Sequence, residues 1–179
     1  MDRSRIREGG RTTVEFTPDS ADLPTVVDLL NRIHALELPE VARDWPETRW
    51  DWFADRGDPA LFRGDALLHS DINPNNLLIG ERRSWAVDWS WPTRGAAFID
   101  PAQLVMQLVS AGHIAEAAES WAARCKAWVN ADPKAIDAFA KATARMNRRR
   151  ALRNPDEYWL TAMAEAAEAW AAHRGVQGI

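Results

Sequence analysis

Cysteine and long apolar runs are both scarce in this sequence. The single cysteine among 179 residues, Cys125, excludes an internal disulfide and is typical of a reducing compartment. No uncharged apolar run has the length of a membrane span, and the first residues do not follow a signal-peptide pattern. We therefore expect a cytoplasmic protein with no membrane partner.

Positive charge is also in deficit. Lysine and arginine together number 22 against 26 acidic residues, which gives a formal net charge of −4. Nucleic-acid-binding domains usually present a basic face, so we expect no nucleic-acid partner. The one basic cluster, residues 147–150, falls within a helical pattern and is interpreted as a solvated helix face.

Lysine and closely spaced glycine are missing from most of the chain. The three lysines are Lys126, Lys134 and Lys141, so no lysine precedes residue 126. The pair Gly9-Gly10 has no companion glycine at the spacing of a phosphate-binding loop. Two common means of holding nucleotide phosphates are therefore absent from the first 125 residues.

A compact group of polar residues is present between positions 69 and 88. His69-Ser70-Asp71 is followed by Asn76 and then by Asp88. This order fits the H-x-D-x-x-x-x-N loop and the downstream metal-binding aspartate of phosphotransferases. The pattern therefore indicates one reaction class, the transfer of a phosphoryl group.

The chemistry of phosphoryl transfer explains why these residue types are needed. The reaction depends on positioning and on charge neutralisation, and a carboxylate must orient the attacking hydroxyl and accept its proton. Asp71 is the candidate for this catalytic base. Mg²⁺ takes oxygen ligands from one or two protein groups, which suits the amide oxygen of Asn76 and the carboxylate of Asp88.

Short apolar runs border these polar residues. Residues 67–68, 77–79 and 85–87 are each typical of a short buried strand, and residues 80–84 are expected to form the turn of a hairpin. A hairpin would bring Asn76 and Asp88 together although twelve positions separate them. We therefore expect their oxygens to converge with those of Asp71 on one cavity.

These motifs resemble the aminoglycoside phosphotransferase and choline kinase branch of the protein-kinase-like fold. Protein kinases usually have lysine where this chain has Asn73, and Phe-Gly where it has Trp89-Ser90. The small-molecule kinases have loops similar to residues 69–76 and a metal motif similar to Val87-Asp88-Trp89. The resemblance is sharp from about residue 67 to residue 109.

The resemblance implies a role for each matching residue. Asp71 would be the catalytic base, Asn76 and Asp88 would hold Mg²⁺, and Leu78 would lie under the adenine ring of ATP or another nucleoside triphosphate. Asp100 precedes Pro101, which is a helix N-cap signal, and in the wider kinase fold an aspartate here braces the catalytic loop. We favour a structural role for Asp100, and an internal bracing role for His69.

The resemblance also implies a fold class and a domain organisation. We expect an α+β, mostly helical C-terminal lobe at residues 19–179 that carries a small β-hairpin cluster. Residues 1–18 would be a hinge-like or disordered segment, and the N-terminal lobe would be absent. A strand near residues 12–17 would then be exposed, so self-association or a complementing N-terminal lobe is expected.

Two functions follow from this interpretation. The first is an ATP- and Mg²⁺-dependent phosphotransferase that acts on a small-molecule hydroxyl, with little activity in the isolated chain. The second is a non-catalytic remnant that binds a ligand or a partner without turnover. Aminoglycoside, choline, homoserine-like and sugar substrates all remain open. The helical carboxylates that could contact a cationic substrate are more simply solvated: Glu116, Glu119, Glu165 and Glu168.

Helical periodicity covers most of the remaining chain. A first helix is expected from Asp22-Leu23-Pro24 to Ile33, and a second from Glu47 toward Asp55. Further helices are expected near 101–110, 114–129, 133–153 and 156–173. Four tryptophans at helical spacing are expected in the core: Trp121, Trp128, Trp159 and Trp170. Trp89 and Trp91 are expected either to touch substrate or nucleotide or to pack under the loop.

Overall fold

The computed structural model describes residues 7–8, 11–90 and 92–179. The fold is α+β and mostly helical, with small antiparallel sheets, as the sequence predicted at this coarse level. The strands are β1 (Arg7–Glu8), β2 (Arg11–Thr13), β3 (Ala66–Leu68), β4 (Leu77–Ile79), β5 (Ser84–Ala86) and β6 (Thr93–Gly95). The helices are α1 (Leu23–Ile33), α2 (Ile99–Ser110), α3 (Ala115–Ala122), α4 (Lys126–Val129), α5 (Pro133–Arg153) and α6 (Tyr158–His173).

Strands β4 and β5 form the predicted hairpin. Leu77 pairs with Ala86, Ile79 pairs with Ser84, and Gly80 N donates to Arg83 O at 2.9 Å across the turn. Four strands make one sheet in the order β1-β2-β4-β5. The hairpin thus fixes the positions of β4 and β5 relative to the candidate loop at residues 69–76.

The strand predicted at residues 67–68 lies in a different sheet from the hairpin. Strand β3 pairs with β6, a strand that the sequence did not indicate. Gly95 of β6 permits this close approach, because a Cβ at this position would lie 2.7 Å from Leu68 Cδ1. The loop that follows β3 therefore crosses from one sheet to the other before it enters β4.

The strand expected near residues 12–17 is not left exposed. It is shorter than expected, and its residue Thr13 pairs with Leu78 of β4. Val14 and Phe16, which follow it, are buried in the core. The N-terminal segment is thus part of this sheet at residues 7–8 and 11–13, while Gly9 and Gly10 lie outside the described residues.

The first predicted helix is confirmed as α1, with an apolar face formed by buried residues at helical spacing: Leu23, Val26, Val27, Leu29, Leu30 and Ile33. Asp22 precedes α1, but its carboxylate accepts from Glu15 N at 2.9 Å and does not cap the helix. Helix α5 has the predicted bounds, and Asp132 caps it by accepting from Lys134 N at 2.9 Å. No helix in the described residues is both long enough and apolar enough to cross a membrane.

Two helix predictions are wrong. The helix expected over 114–129 is divided into α3 and α4, because Cys125 adopts an extended backbone conformation and is fully buried. The helix expected from Glu47 to Asp55 is only a short 3-10 turn, Asp51–Phe53. Here Glu47 N donates to Arg94 O, and Arg49 N donates to the Glu47 carboxylate, both at 2.8 Å. Pro46 also forms an isolated bridge with Arg94, so the segment begins in an extended conformation beside β6 and not as a helix.

Candidate active site

The segment between β3 and β4 carries the candidate loop, and Asp100 of α2 fixes its start. The two carboxylate oxygens of Asp100 accept from His69 N and Ser70 N, each at 2.9 Å. Asp100 is fully buried, so these charge-assisted bonds are shielded from water. Asp100 therefore braces the loop, but it is not a helix N-cap, because Phe98 precedes the first residue of α2.

Ser70 has a left-handed backbone conformation, with φ of 66°. This conformation is costly for a residue other than glycine, so the surroundings must hold it in place. The Ser70 hydroxyl lies 3.1 Å from Glu47 Oε2 and 2.7 Å from Thr93 Oγ1, and Arg49 Nη2 donates to Ser70 O at 2.7 Å. The residue that precedes Asp71 is thus held both through its hydroxyl and through its backbone carbonyl group.

Glu47 is the centre of this support, and sequence analysis missed its role. Its buried carboxylate accepts from Arg49 through two nitrogens and from Thr93 Oγ1 at 3.0 Å. Burial raises the pKa of the Glu47 carboxyl, but the hydrogen bonds and positive charge of Arg49 outweigh burial and leave the pKa below its ordinary value. The only sequence signal was an acidic residue among tryptophans, which specifies no partner.

The structure brings Asp71 and Asn76 into direct contact. Asn76 Nδ2 donates to Asp71 Oδ2 and to Asp71 O, both at 2.9 Å. Asn73 Oδ1 accepts from Asn75 N at 2.9 Å and begins the 3-10 turn Pro74–Asn76. Because its nitrogen is occupied by Asp71, the Asn76 amide has its oxygen available as a ligand.

The other oxygen of Asp71 has no such partner. Among the described residues, nothing donates a hydrogen bond to Asp71 Oδ1. Ile72, the next residue, is fully buried, and its N–H donates to Gln103 Oε1 at 3.3 Å. Asp71 therefore has one anchored carboxylate oxygen and one oxygen that can accept a proton from a hydroxyl.

Asp88 follows β5 and has the second left-handed backbone among non-glycine residues that the structure describes, with φ of 56°. Val87 N donates to Asn76 O at 2.9 Å, so the chain before Asp88 is bonded directly to the loop. The exposed Asp88 carboxylate accepts from the Ser90 hydroxyl. Asp88 does not line the cavity that Asp71 borders, and the convergence of all three side chains on one cavity stays a prediction.

Asn76 and Asp88 are oxygen donors of the kind that Mg²⁺ prefers. They lie at the ends of neighbouring antiparallel strands, in the arrangement that the hairpin predicted. No group of three or more His, Cys, Asp or Glu side chains in the described residues could hold a metal ion. A metal here would take oxygens from these two side chains, and water or substrate oxygens would complete its coordination, which is the habit of Mg²⁺.

His69, Trp89 and Leu78 surround the loop. His69 is fully buried, its Nε2 lies 2.8 Å from Val87 O, and its ring centroid lies 4.7 Å from that of Trp89. Trp89 Nε1 donates to Ala86 O at 3.0 Å, so Trp89 packs under the loop. Leu78 is partly buried on β4, opposite Trp85. Trp91 lies outside the described residues.

A cavity of about 570 Å³ lies between the loop and helices α2, α5 and α6. Ser70 and Asp71 border it on the loop side. Trp159 also borders it and is 60% exposed, so the prediction that Trp159 packs in the core is wrong. The four helical glutamates considered as contacts for a cationic substrate do not line this cavity.

No protein-family model, no curated protein and no solved structure matches this chain.

Proposed function

We propose that this chain is the C-terminal lobe of an ATP- and Mg²⁺-dependent phosphotransferase of the aminoglycoside phosphotransferase and choline kinase type, acting on a small-molecule hydroxyl. The observation that carries the proposal is the hydrogen bond from Asn76 Nδ2 to Asp71 Oδ2. It joins the expected base to an expected metal ligand, and no other described residue donates a hydrogen bond to Asp71 Oδ1 or Asn76 Oδ1. This division of roles is what the reaction needs.

Asp71 acts as the base in this proposal. Its anchored oxygen is held by Asn76, while Oδ1 receives the proton of a substrate hydroxyl that enters from the cavity. The surrounding loop contributes rigidity, since Asp100, Glu47 and Arg49 fix the backbone on either side of Ser70. The carboxylate is thus oriented before a substrate arrives.

Asn76 Oδ1 and the Asp88 carboxylate would hold Mg²⁺. When bound, the Mg²⁺–nucleotide complex supplies the phosphoryl group and neutralises its negative charge. The bond from Ser90 to Asp88 would orient the carboxylate toward the metal, as hydrogen bonds to metal-ligating carboxylates commonly do.

A non-catalytic remnant is the second candidate, and the distribution of lysine favours it. No lysine precedes residue 126, and the sequence has no Gly-rich loop to hold a transferred phosphoryl group. Positioning of this kind can supply about 7–11 kcal/mol of barrier reduction. The isolated 179-residue chain should therefore be a very weak enzyme at best.

Turnover by the purified chain separates the two candidates. ATP and Mg²⁺ at millimolar levels would be supplied with a panel of amino-alcohol, sugar and hydroxy-acid substrates, and ADP release would be measured. A slow, substrate-dependent rate that disappears in Asp71→Asn, but not in the exposed control Asp19→Asn, supports the phosphotransferase. No rate above a protein-free control supports the remnant. Robust turnover would contradict the importance given to the missing Gly-rich loop and lysine.

A further inference from the structure

The cavity beside Asp71 has an unusual distribution of charge for a site expected to receive a cation. Among the described residues, Asp71 is the only carboxylate that lines it, and Arg49 and Arg150 line it as well. Arg49 is already paired with the buried carboxylate of Glu47 at 2.8 Å. Arg150 is exposed and, within the described part of the chain, forms no ion pair. Among the described residues, Arg150 is therefore a cationic residue at the cavity that no carboxylate pairs with.

Neighbouring side chains do not make the cavity favourable for a cation. Glu157 borders an adjoining pocket together with Arg150, and its carboxylate accepts from Trp159 Nε1 at 2.9 Å. Trp50 could have attracted a cation through its ring face, but the guanidinium of Arg49 lies 4.6 Å from the ring centroid. A second cation on this face would be repelled by Arg49.

One wall of the cavity is apolar and adaptable. Met106 of α2, Met146 of α5 and Met163 of α6 all line it, together with the exposed ring of Trp159. Methionine side chains are flexible and polarisable, so such a wall accommodates apolar bodies of different shape. Pockets with an apolar wall and a few polar groups are typical of small-molecule sites.

Polar atoms with unmet hydrogen bonds lie beside this wall. Gln103 Nε2 and Thr143 Oγ1 are buried and have no partner among the described residues. Gln103 is oriented by its other amide atom, Oε1, which accepts from Ile72 N in the candidate loop. Unpartnered buried groups are uncommon in folded proteins, and binding sites are one place where they occur.

We propose that the cavity binds an anionic amphipathic alcohol. Its hydroxyl would lie at Asp71, its apolar body against the three methionines, and its acidic group at Arg150. The position of the hydroxyl rests on the function proposed above, whereas the positions of the body and of the anion follow from the lining alone. The proposal excludes aminoglycosides and choline, whose ammonium groups would meet a site where only Asp71 is a carboxylate.

Three ligands that differ in one terminal group test the charge preference. They are ω-hydroxyoctanoate, octanediol and aminooctanol, which share a chain and a hydroxyl and differ in being anionic, neutral and cationic. Binding to the full chain would be measured by titration calorimetry without nucleotide or metal, with the hexyl and decyl homologues in parallel. We expect the acid to bind about three- to tenfold more tightly than the diol, and the amine to bind most weakly.

A matched pair of variants tests the assignment to Arg150. Arg150→Gln should remove the advantage of the acid over the diol and leave the affinity for the diol unchanged. Arg149→Gln changes an adjacent exposed arginine that does not line the cavity, and should retain the advantage. Equal losses of the advantage in both variants would overturn the assignment, because a general field effect of the basic helix would then explain the preference.

Other binding results would also support or overturn the proposed ligand class. Tightest binding by the amine, equal binding by all three ligands, or no binding at any chain length would overturn the proposed ligand class. Binding of the acid by a chain that shows no phosphoryl transfer would support the ligand class while the proposed function failed. Because the titration needs no nucleotide, failures of the two proposals are distinguishable.

Discussion

Replacement of Asp100 by asparagine should destabilise the protein more than any change at an exposed aspartate. The carboxylate accepts two backbone N–H groups at 2.9 Å in a site with no solvent exposure. Asparagine keeps one acceptor oxygen, but its NH₂ group would face the second backbone N–H, so that two donors would oppose each other. One charge-assisted bond is lost and buried donors are left unpaired, at a combined cost of about 3–5 kcal/mol.

Urea unfolding of the wild-type chain and Asp100→Asn would measure this cost. Asp65→Asn is the matched control, because the Asp65 carboxylate also accepts a hydrogen bond, from Arg94 at 2.9 Å, but its side chain is 87% exposed. An exposed pair of this kind contributes about 0.2–1 kcal/mol, so the control should lose no more than that. Amide hydrogen exchange at Ser70 should also accelerate in Asp100→Asn. A loss below about 1 kcal/mol in Asp100→Asn would refute the bracing role of this carboxylate.

Three further predictions concern Glu47, Thr143 and Cys125. Because the folded-state pKa of Glu47 is lowered, its charged form stabilises the fold above the unfolded-state pKa of about 4.3, and this stability is lost as pH falls through the folded-state value. The difference in unfolding free energy between wild type and Glu47→Gln should therefore shrink on acidification below about pH 4, and a pH-independent difference would contradict the assignment. Thr143→Val removes a buried hydroxyl that has no partner among the described residues. It should therefore raise the unfolding free energy by about 1 kcal/mol in urea titrations. A lower unfolding free energy in the variant would show that the hydroxyl is hydrogen-bonded. Burial raises the pKa of the Cys125 thiol to about 12, so a thiol reagent at pH 8 should modify it only after denaturation, and rapid reaction of the native chain would contradict its burial.

The sequence predicted the helices and strands that are specified by residues close to one another along the chain. Helix α1 follows from apolar residues at helical spacing, and α5 begins at Asp132-Pro133, where a cap and a proline fix the first turn. The β4–β5 hairpin follows from two apolar runs around a polar turn. Each of these elements is specified by residues that lie close together in the sequence. Hydrophobic periodicity detects patterns over this short range.

Elements that depend on distant partners could not be predicted in this way. Glu47 reaches Thr93 across 46 positions of sequence, and this contact has no local signature. Strand β6 exists because it pairs with β3, although its sequence, Thr-Arg-Gly, has no apolar run. The segment that begins at Glu47 shows helical patterning, but its start is tied to β6, because Glu47 N donates to Arg94 O. Tertiary contacts therefore override propensity at these points.

The contacts of the candidate site were also predicted only in part, because some join residues close in sequence and others join distant residues. Contact between Asp71 and Asn76 lies within one short loop, and the motif spacing indicated it. The bracing role of Asp100 came from family resemblance, since a bond from residue 100 to residues 69 and 70 is not visible in local sequence. Trp159 was assigned to the core because helical spacing does not report which face of α6 is exposed.

Paramagnetic titration with Mn²⁺ tests the central claim that Asn76 and Asp88 form a metal site for phosphoryl transfer. Mn²⁺ occupies Mg²⁺ sites and broadens NMR signals of nearby nuclei. Addition of Mn²⁺ with ADP should selectively broaden the side-chain amide of Asn76, the backbone amide of Asp88 and the indole N–H of Trp89. This effect should disappear in Asp88→Asn and persist in the exposed control Asp19→Asn. Broadening centred on other residues, or broadening that survives in Asp88→Asn, would contradict the claim.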